Sequence, residues 1–183
     1  MSEPVAFSAA TNTKIAELLG RYPRKQGALI PTLYLAQDEF GWLKPEVLQL
    51  VADRLELTLS AVLATAMFYT MLHKKPVGRF HVQICTNISC YLLGSDALME
   101  IAQQALGIAP GESTPDGVFT LESVQCLCAC DRAPTLQINK EDHFKVTPSE
   151  LKALLETLKT EGVKLGPPVG WLAEQHHAHA AHA

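Results

Sequence analysis

The sequence predicts an α+β fold, in which an N-terminal helical bundle is followed by helices layered against a four-stranded mixed sheet. Three observations predict it. Apolar residues recur at three- and four-residue steps through positions 12–75. The character changes at Lys74-Lys75-Pro76-Val77-Gly78, after which short strand and helix signals alternate. The composition is that of a core-forming globular protein, 48% hydrophobic and 19% charged over 183 residues, with no apolar run near the ~20 residues of a membrane-spanning helix.

Residues 1–11 read as a flexible lead-in. A first helix begins at Asn12, with Ile15, Leu18, Leu19 and Tyr22 on one face, and stops at Pro23. A second covers about Gly27 to Phe40, with Leu29, Leu33, Ala36 and Phe40 as its stripe. Pro31 restricts the regular part, because proline fits only a helix's first turn. Gly41-Trp42-Leu43 closes it. Lys44-Pro45-Glu46 opens a third, with proline at the first position, acid in the first turn, and a stripe of Val47, Leu50, Val51 and Leu55. The fourth, about Ser60 to Leu72, is apolar nearly all round and so is expected to be buried against a partner surface. This helical region, 12–75, is small to stand alone.

A domain at 78–160 follows. Strand 79–85 leads into a helix at 91–106 carrying Leu92, Leu93, Leu98, Ile101, Ala102 and Leu106, which Gly107 stops. Strands at 118–125, 134–139 and 144–147 come next, the last two joined by a turn at Lys140–His143. Pro148-Ser149-Glu150 begins a final helix with Leu151, Leu154, Leu155 and Leu158 on one face. The order β-α-β-β-α suggests a thioredoxin-like layer. Residues 161–183 form a tail without periodicity, rich in histidine, disordered or laid on a partner through Trp171 and Leu172.

All five cysteines lie between Cys85 and Cys130, as Cys85-x4-Cys90 and Cys126-Leu-Cys128-Ala-Cys130, each group ending a strand. Soft thiolates at neighbouring strand ends suit an iron–sulfur cluster, and a [2Fe–2S] cluster takes four of them. Structural zinc usually sits in C-x2-C knuckles, of which there are none. A disulfide framework belongs to secreted domains, whereas the count is odd and no secretory leader precedes it. Spacing alone leaves iron–sulfur, zinc and thiol redox chemistry open. A net charge of −4 and scattered basic residues give no nucleic-acid footprint. Neither GxGxxG nor Walker A occurs, so no nucleotide site is expected. Cysteines reserved for metal fit a reducing, cytoplasmic setting.

The stretches Arg79–Cys90, Thr114–Glu122, Cys126–Cys130 and Ala133–Asn139 resemble the E-type, or 24 kDa, subunit of the bacterial NADH–quinone oxidoreductases (respiratory complex I). Tyr22-Pro23, Gln37–Trp42 and Phe68-Tyr69-Thr70 resemble that family's helical region, so that the likeness covers about 15–160. The resemblance implies a thioredoxin-like [2Fe–2S] ferredoxin domain in which Cys85 and Cys90 hold one iron and Cys126 and Cys130 the other. It implies single-electron exchange with the FMN of the F-type flavoprotein subunit, which binds NADH, with the G-type subunit completing the electron-input module. It also implies a peripheral place on the inner face of the cell membrane.

Cys128 departs from the family's usual glycine and is read as a bystander thiol rather than a ligand. Asp131 also departs from the family, and its carboxylate is expected to lower the reduction potential. The apolar fourth helix and Trp42 are candidates for docking as well as for internal core. Thioredoxin-like folds often place a cis proline near this loop, which makes Ala133–Pro134 a candidate cis bond. Similar chains serve NAD-dependent hydrogenases and formate dehydrogenases. A zinc- or thiol-containing thioredoxin-like adaptor is the alternative from another class.

Overall fold

The computed structural model describes residues 5–165, and the chain divides between Pro76 and Val77 into two units. Trp171, Leu172 and the histidine-rich end of the chain lie outside the described residues.

The first unit holds α1 (Ala9–Arg21), α2 (Leu29–Phe40), α3 (Pro45–Leu55) and α4 (Leu59–Phe68), with a 3-10 turn, Lys25–Ala28, before α2. Helix α1 starts at Ala9, ahead of the expected Asn12, because Ser8 caps it and its Oγ accepts the Thr11 N–H at 3.2 Å. The lead-in is therefore partly structured. Phe7 is buried, with its ring 5.7 Å from that of Phe40, and the Ser8 N–H donates to Glu39 Oε1 at 2.7 Å. Pro31 lies in the first turn of α2, where its missing N–H costs no helical bond. Ile15, Leu33, Val47, Val51, Leu55 and Val62 are fully enclosed in one core.

Helix α4 ends at Phe68 rather than Leu72, because the chain turns extended at Tyr69. Leu72 is nevertheless buried, and the segment is tied back where Leu43 N–H donates to His73 O at 2.8 Å. Val62 and Ala66 face the bundle, while Leu59, Leu63, Met67 and Phe68 are exposed. The expected burial of the whole helix is corrected: one side packs and the other faces out.

The second unit holds β1 (Phe80–Cys85), α5 (Ile88–Leu92), α6 (Ser95–Leu106), β2 (Phe119–Val124), β3 (Thr135–Ile138), β4 (Glu141–Phe144) and α7 (Pro148–Leu165). The sheet order is β2-β1-β3-β4, with β1 parallel to β2 and antiparallel to β3. This is the mixed four-stranded sheet of a thioredoxin-like fold. Alternation along β1 sends Phe80, Val82 and Ile84 into a core shared with Leu98 of α6, Leu121, Leu136, and Leu151 and Leu155 of α7. On the other face His81 Nε2 and Gln83 Nε2 meet Glu122 Oε2 at 2.9 and 2.8 Å.

Three boundaries differ from expectation. The helix foreseen at 91–106 is two helices, broken where Gly94 adopts φ 93°, a conformation easy only for glycine. The last strand is β4 at 141–144 rather than 144–147. The hairpin turn is the pair Asn139-Lys140, with Asn139 left-handed at φ 57° and Ile138 paired with Glu141. Helix α7 runs on to Leu165, so that 161–165 is helix and not tail.

The start of α7 is a reciprocal capping box: Thr147 N–H donates to Glu150 Oε2 at 2.8 Å and Glu150 N–H to Thr147 Oγ1 at 3.3 Å. Thr147→Ala is expected to lower stability by about 1 kcal/mol in urea unfolding. The Thr147 N–H and hydroxyl also hold the Glu150 carboxyl below its ordinary 4.5. Its contribution is therefore present above that value and is lost as pH falls through the lower folded value.

Candidate metal centre

Each cysteine's place follows from its local sequence. Cys85 closes β1, where Thr86 continues the pairing by donating its N–H to Val124 O at 2.9 Å. Asn87 then caps α5, its side chain accepting the Ile88 N–H at 2.7 Å, and one turn of helix carries Cys90 back beside Cys85. Both are buried, and with Ala133 they form a small separate cluster. Cys126, Cys128 and Cys130 follow β2 in an exposed loop. Cys128 takes φ 57°, which bends that loop back on itself, so that its N–H donates to Cys126 Sγ at 3.2 Å. Cys130 begins a 3-10 turn, Cys130–Arg132.

The β3–β4 hairpin braces the loop from behind. Lys145 N–H donates to Arg132 O at 2.9 Å and Val146 N–H to Pro134 O at 3.2 Å, and the candidate bond Ala133–Pro134 is cis. The Arg132 guanidinium lies 3.7 Å over the Phe144 ring. Thr135 Oγ1 reaches Ala129 O and Arg132 O at 3.4 and 3.3 Å. These supporting groups were not found from sequence, since a hydroxyl or an arginine carries no motif of its own.

The thiols sense one another. Burial chiefly pushes the Cys90 thiol up, against a Thr135 N–H that favours its thiolate, with Cys85 and Cys130 close by. Cys126 is held below the ordinary thiol value, first by the Cys128 N–H and then by the neighbouring thiols. The Cys128 thiol, beside the Cys126 sulfur, is pushed up. All four residues expected as ligands are thus brought to one end of the sheet, and Cys128 stands among them. Among the described residues no three His, Cys, Asp or Glu side chains are arranged round a single ion. Two pairs of thiols with backbone N–H groups aimed at Cys90 and Cys126 suit a binuclear centre, in which each iron takes two sulfurs.

The family model described as thioredoxin-like [2Fe–2S] ferredoxin matches residues 15–159. The chain belongs to this family. Its curated relatives include the second E-type subunit of the NADH-quinone oxidoreductase of Rhizobium meliloti, 44% identical over 146 residues, which are 80% of this chain and 87% of the relative. NADH-quinone oxidoreductase subunit 2 of Thermus thermophilus is 36% identical over 172 residues, covering 90% of this chain and 92% of the relative. Among solved structures, an NAD+-reducing [NiFe]-hydrogenase in the air-oxidized state superposes with a TM-score of 0.66 at 23% identity, over 73% of this chain and 23% of the hydrogenase chain. That likeness speaks for the ferredoxin fold alone.

Two neighbours of the ferredoxin site remain. Arg132 Nε is 3.7 Å from Asp131 Oδ2, so the carboxylate flagged from sequence has a counter-charge that sequence reasoning missed. Around α5, Ile88, Tyr91, Leu92 and Leu93 are exposed beside buried Cys90, with Leu92 73% accessible. The helix expected at 91–106 had included Leu92 and Leu93.

Proposed function

We propose that this ferredoxin is the electron-transfer subunit of an NADH–quinone oxidoreductase. Its [2Fe–2S] cluster would be held by Cys85 and Cys90 on one iron and by Cys126 and Cys130 on the other. The observation that carries the reading is the gathering of these four thiols, two buried and two exposed, at one end of the sheet. The curated relatives named as subunits of that oxidoreductase support it. When bound, the cluster supplies one-electron transfer at a low potential, about −400 mV for all-thiolate plant-type ferredoxins.

The chain's own residues do the rest. Cys90, with Ala133 and Val124, shuts water from one side of the site, while the Thr135 and Cys128 N–H groups stabilise negative sulfur. The exposed side of the cysteine loop leaves a short path for an electron to a neighbouring chain.

That neighbour is proposed to be the F-type flavoprotein subunit, carrying FMN and the NADH site, with the G-type subunit adjoining. The complex would sit on the inner face of the cell membrane. Among the described residues no helix is long and apolar enough to cross a membrane. The apolar collar on α5 supports docking beside the cluster, since exposed apolar patches mark interaction surfaces.

In the test, NADH is mixed with the loaded chain with and without the purified flavoprotein subunit, and the cluster's visible absorption is followed. Bleaching only with both present supports the reading, and bleaching by NADH alone would sink it. Leu92→Glu is expected to slow that bleaching at least about tenfold, one 1.4 kcal/mol step in association, with iron content unchanged.

Asp131→Asn is expected to raise the midpoint potential. The shift should stay under the roughly 59 mV that corresponds to a tenfold change for one electron, because both members of the Asp131–Arg132 pair are exposed and screened. Potentiometric titration checks it, and no upward shift would contradict it.

A further inference from the structure

The fifth cysteine has no part in a four-thiolate centre, yet it does not stand apart from one. Its backbone N–H is 3.2 Å from the Cys126 sulfur, and its thiol is influenced chiefly by Cys126 and then by Cys130 and Cys85. Its backbone is left-handed at φ 57°, and its N–H donates to Cys126 Sγ. The two ends of the loop differ in how firmly they are held. Cys130 is fixed by the 3-10 turn, where Arg132 N–H donates to Ala129 O at 3.0 Å, and by the hydroxyl of Thr135 on Ala129 O. Residues 125–129 carry no regular structure, so this end has room to adjust.

We propose that Cys128 is a reserve ligand, able to take the iron position of Cys126 but not the resident ligand while Cys126 is present. This inference rests on the cluster reading above. The N–H–S bond ranks the two sulfurs at rest, since it is given to Cys126 by Cys128 itself. Exchange is a ligand substitution with no oxidant or reductant. The Cys128 thiol loses its proton and its sulfur bonds iron. The iron bond to Cys126 breaks, and that sulfur takes up the proton; where Cys126 is missing, the proton goes to solvent. A shift of two residues within an irregular loop is the whole movement required. The consequence is a cluster that survives damage or alkylation at Cys126, one of its two exposed ligands.

The test uses the full-length chain purified anaerobically as wild type, Cys128→Gly, Cys126→Ala, and the double variant Cys126→Ala/Cys128→Gly. Iron, acid-labile sulfide and the EPR spectrum after dithionite are measured, and far-UV circular dichroism checks each fold. Alanine is chosen at 126 because it offers no oxygen ligand, and glycine at 128 because it accepts the left-handed backbone. Cys128→Gly should match wild type in iron and sulfide. Cys126→Ala should keep more than half of both, with altered g-values, and the double variant should fall at least about tenfold below wild type. Three outcomes overturn the inference alone: Cys126→Ala as empty as the double variant, a double variant as full as Cys126→Ala, or Cys128→Gly emptied by itself. A wild-type chain without iron and sulfide overturns the cluster reading and this inference together.

Discussion

Cys90→Ala is expected to yield a folded chain in which iron and sulfide fall from about two of each per chain to background. Cys90 is only 2% exposed, sits on the single turn of α5, and receives the Thr135 N–H. Its thiol neighbours are Cys85 and Cys130, themselves expected ligands, whereas Cys128 stands with Cys126 on the outer loop. Cys128 is not among the groups that act on Cys90, so it offers no reserve for the position Cys90 vacates. The fold itself should persist, since the main core of this unit is built from Val82, Ile84, Leu98, Leu121, Leu136 and Leu151 and contains no cysteine. Metal analysis with circular dichroism checks both halves of the statement. A loaded Cys90→Ala chain would remove Cys90 from the ligand set.

Leu136→Ala is expected to have the largest effect on stability. Leu136 is fully buried in β3, paired across the sheet with Ile84 on one side and His143 on the other, and it shares its core with α6 and α7. Removing a buried leucine costs the lost transfer energy plus a cavity, about 3 kcal/mol within a usual spread of 2–5. Because β3 also carries Thr135, whose N–H meets Cys90, the loss should reach the metal centre as faster release of iron to a chelator. Leu93→Ala, on the exposed collar, should change stability by less than about 0.5 kcal/mol. Urea unfolding of both variants checks the contrast, and equal losses would contradict the assignment of core and surface.

The parts of the fold that were readable are those where one local signal decides. Pro45 with Glu46 starts a helix, and Gly107 ends one. The alternation in Phe80–Cys85 makes a strand, and the cysteine spacings mark the site. What escaped was set by longer-range terms. In β4, Glu-Asp-His-Phe has no apolar alternation because it is an edge strand with both faces largely wet, so the strand was expected three residues too late although its hairpin with β3 was foreseen. Leu92 and Leu93 fit a helical stripe, yet the left-handed turn at Gly94 separates them from α6 and leaves them outside.

The same limit holds for α4. Its sequence is apolar on all sides, and apolarity alone does not tell a buried side from one facing outward. At the metal centre the cysteines carried their own signal, whereas Thr135, Arg132 and Phe144 act through a hairpin that brings distant residues behind the loop.

The measurement that tests the central claim most directly is low-temperature EPR of the anaerobically purified chain before and after dithionite, with iron and sulfide assays. The expected result is an S = 1/2 signal that appears on reduction, with about two irons and two sulfides per chain. A colourless, EPR-silent chain that takes up no cluster on anaerobic reconstitution would contradict it, leaving the gathered cysteines to zinc or thiol chemistry.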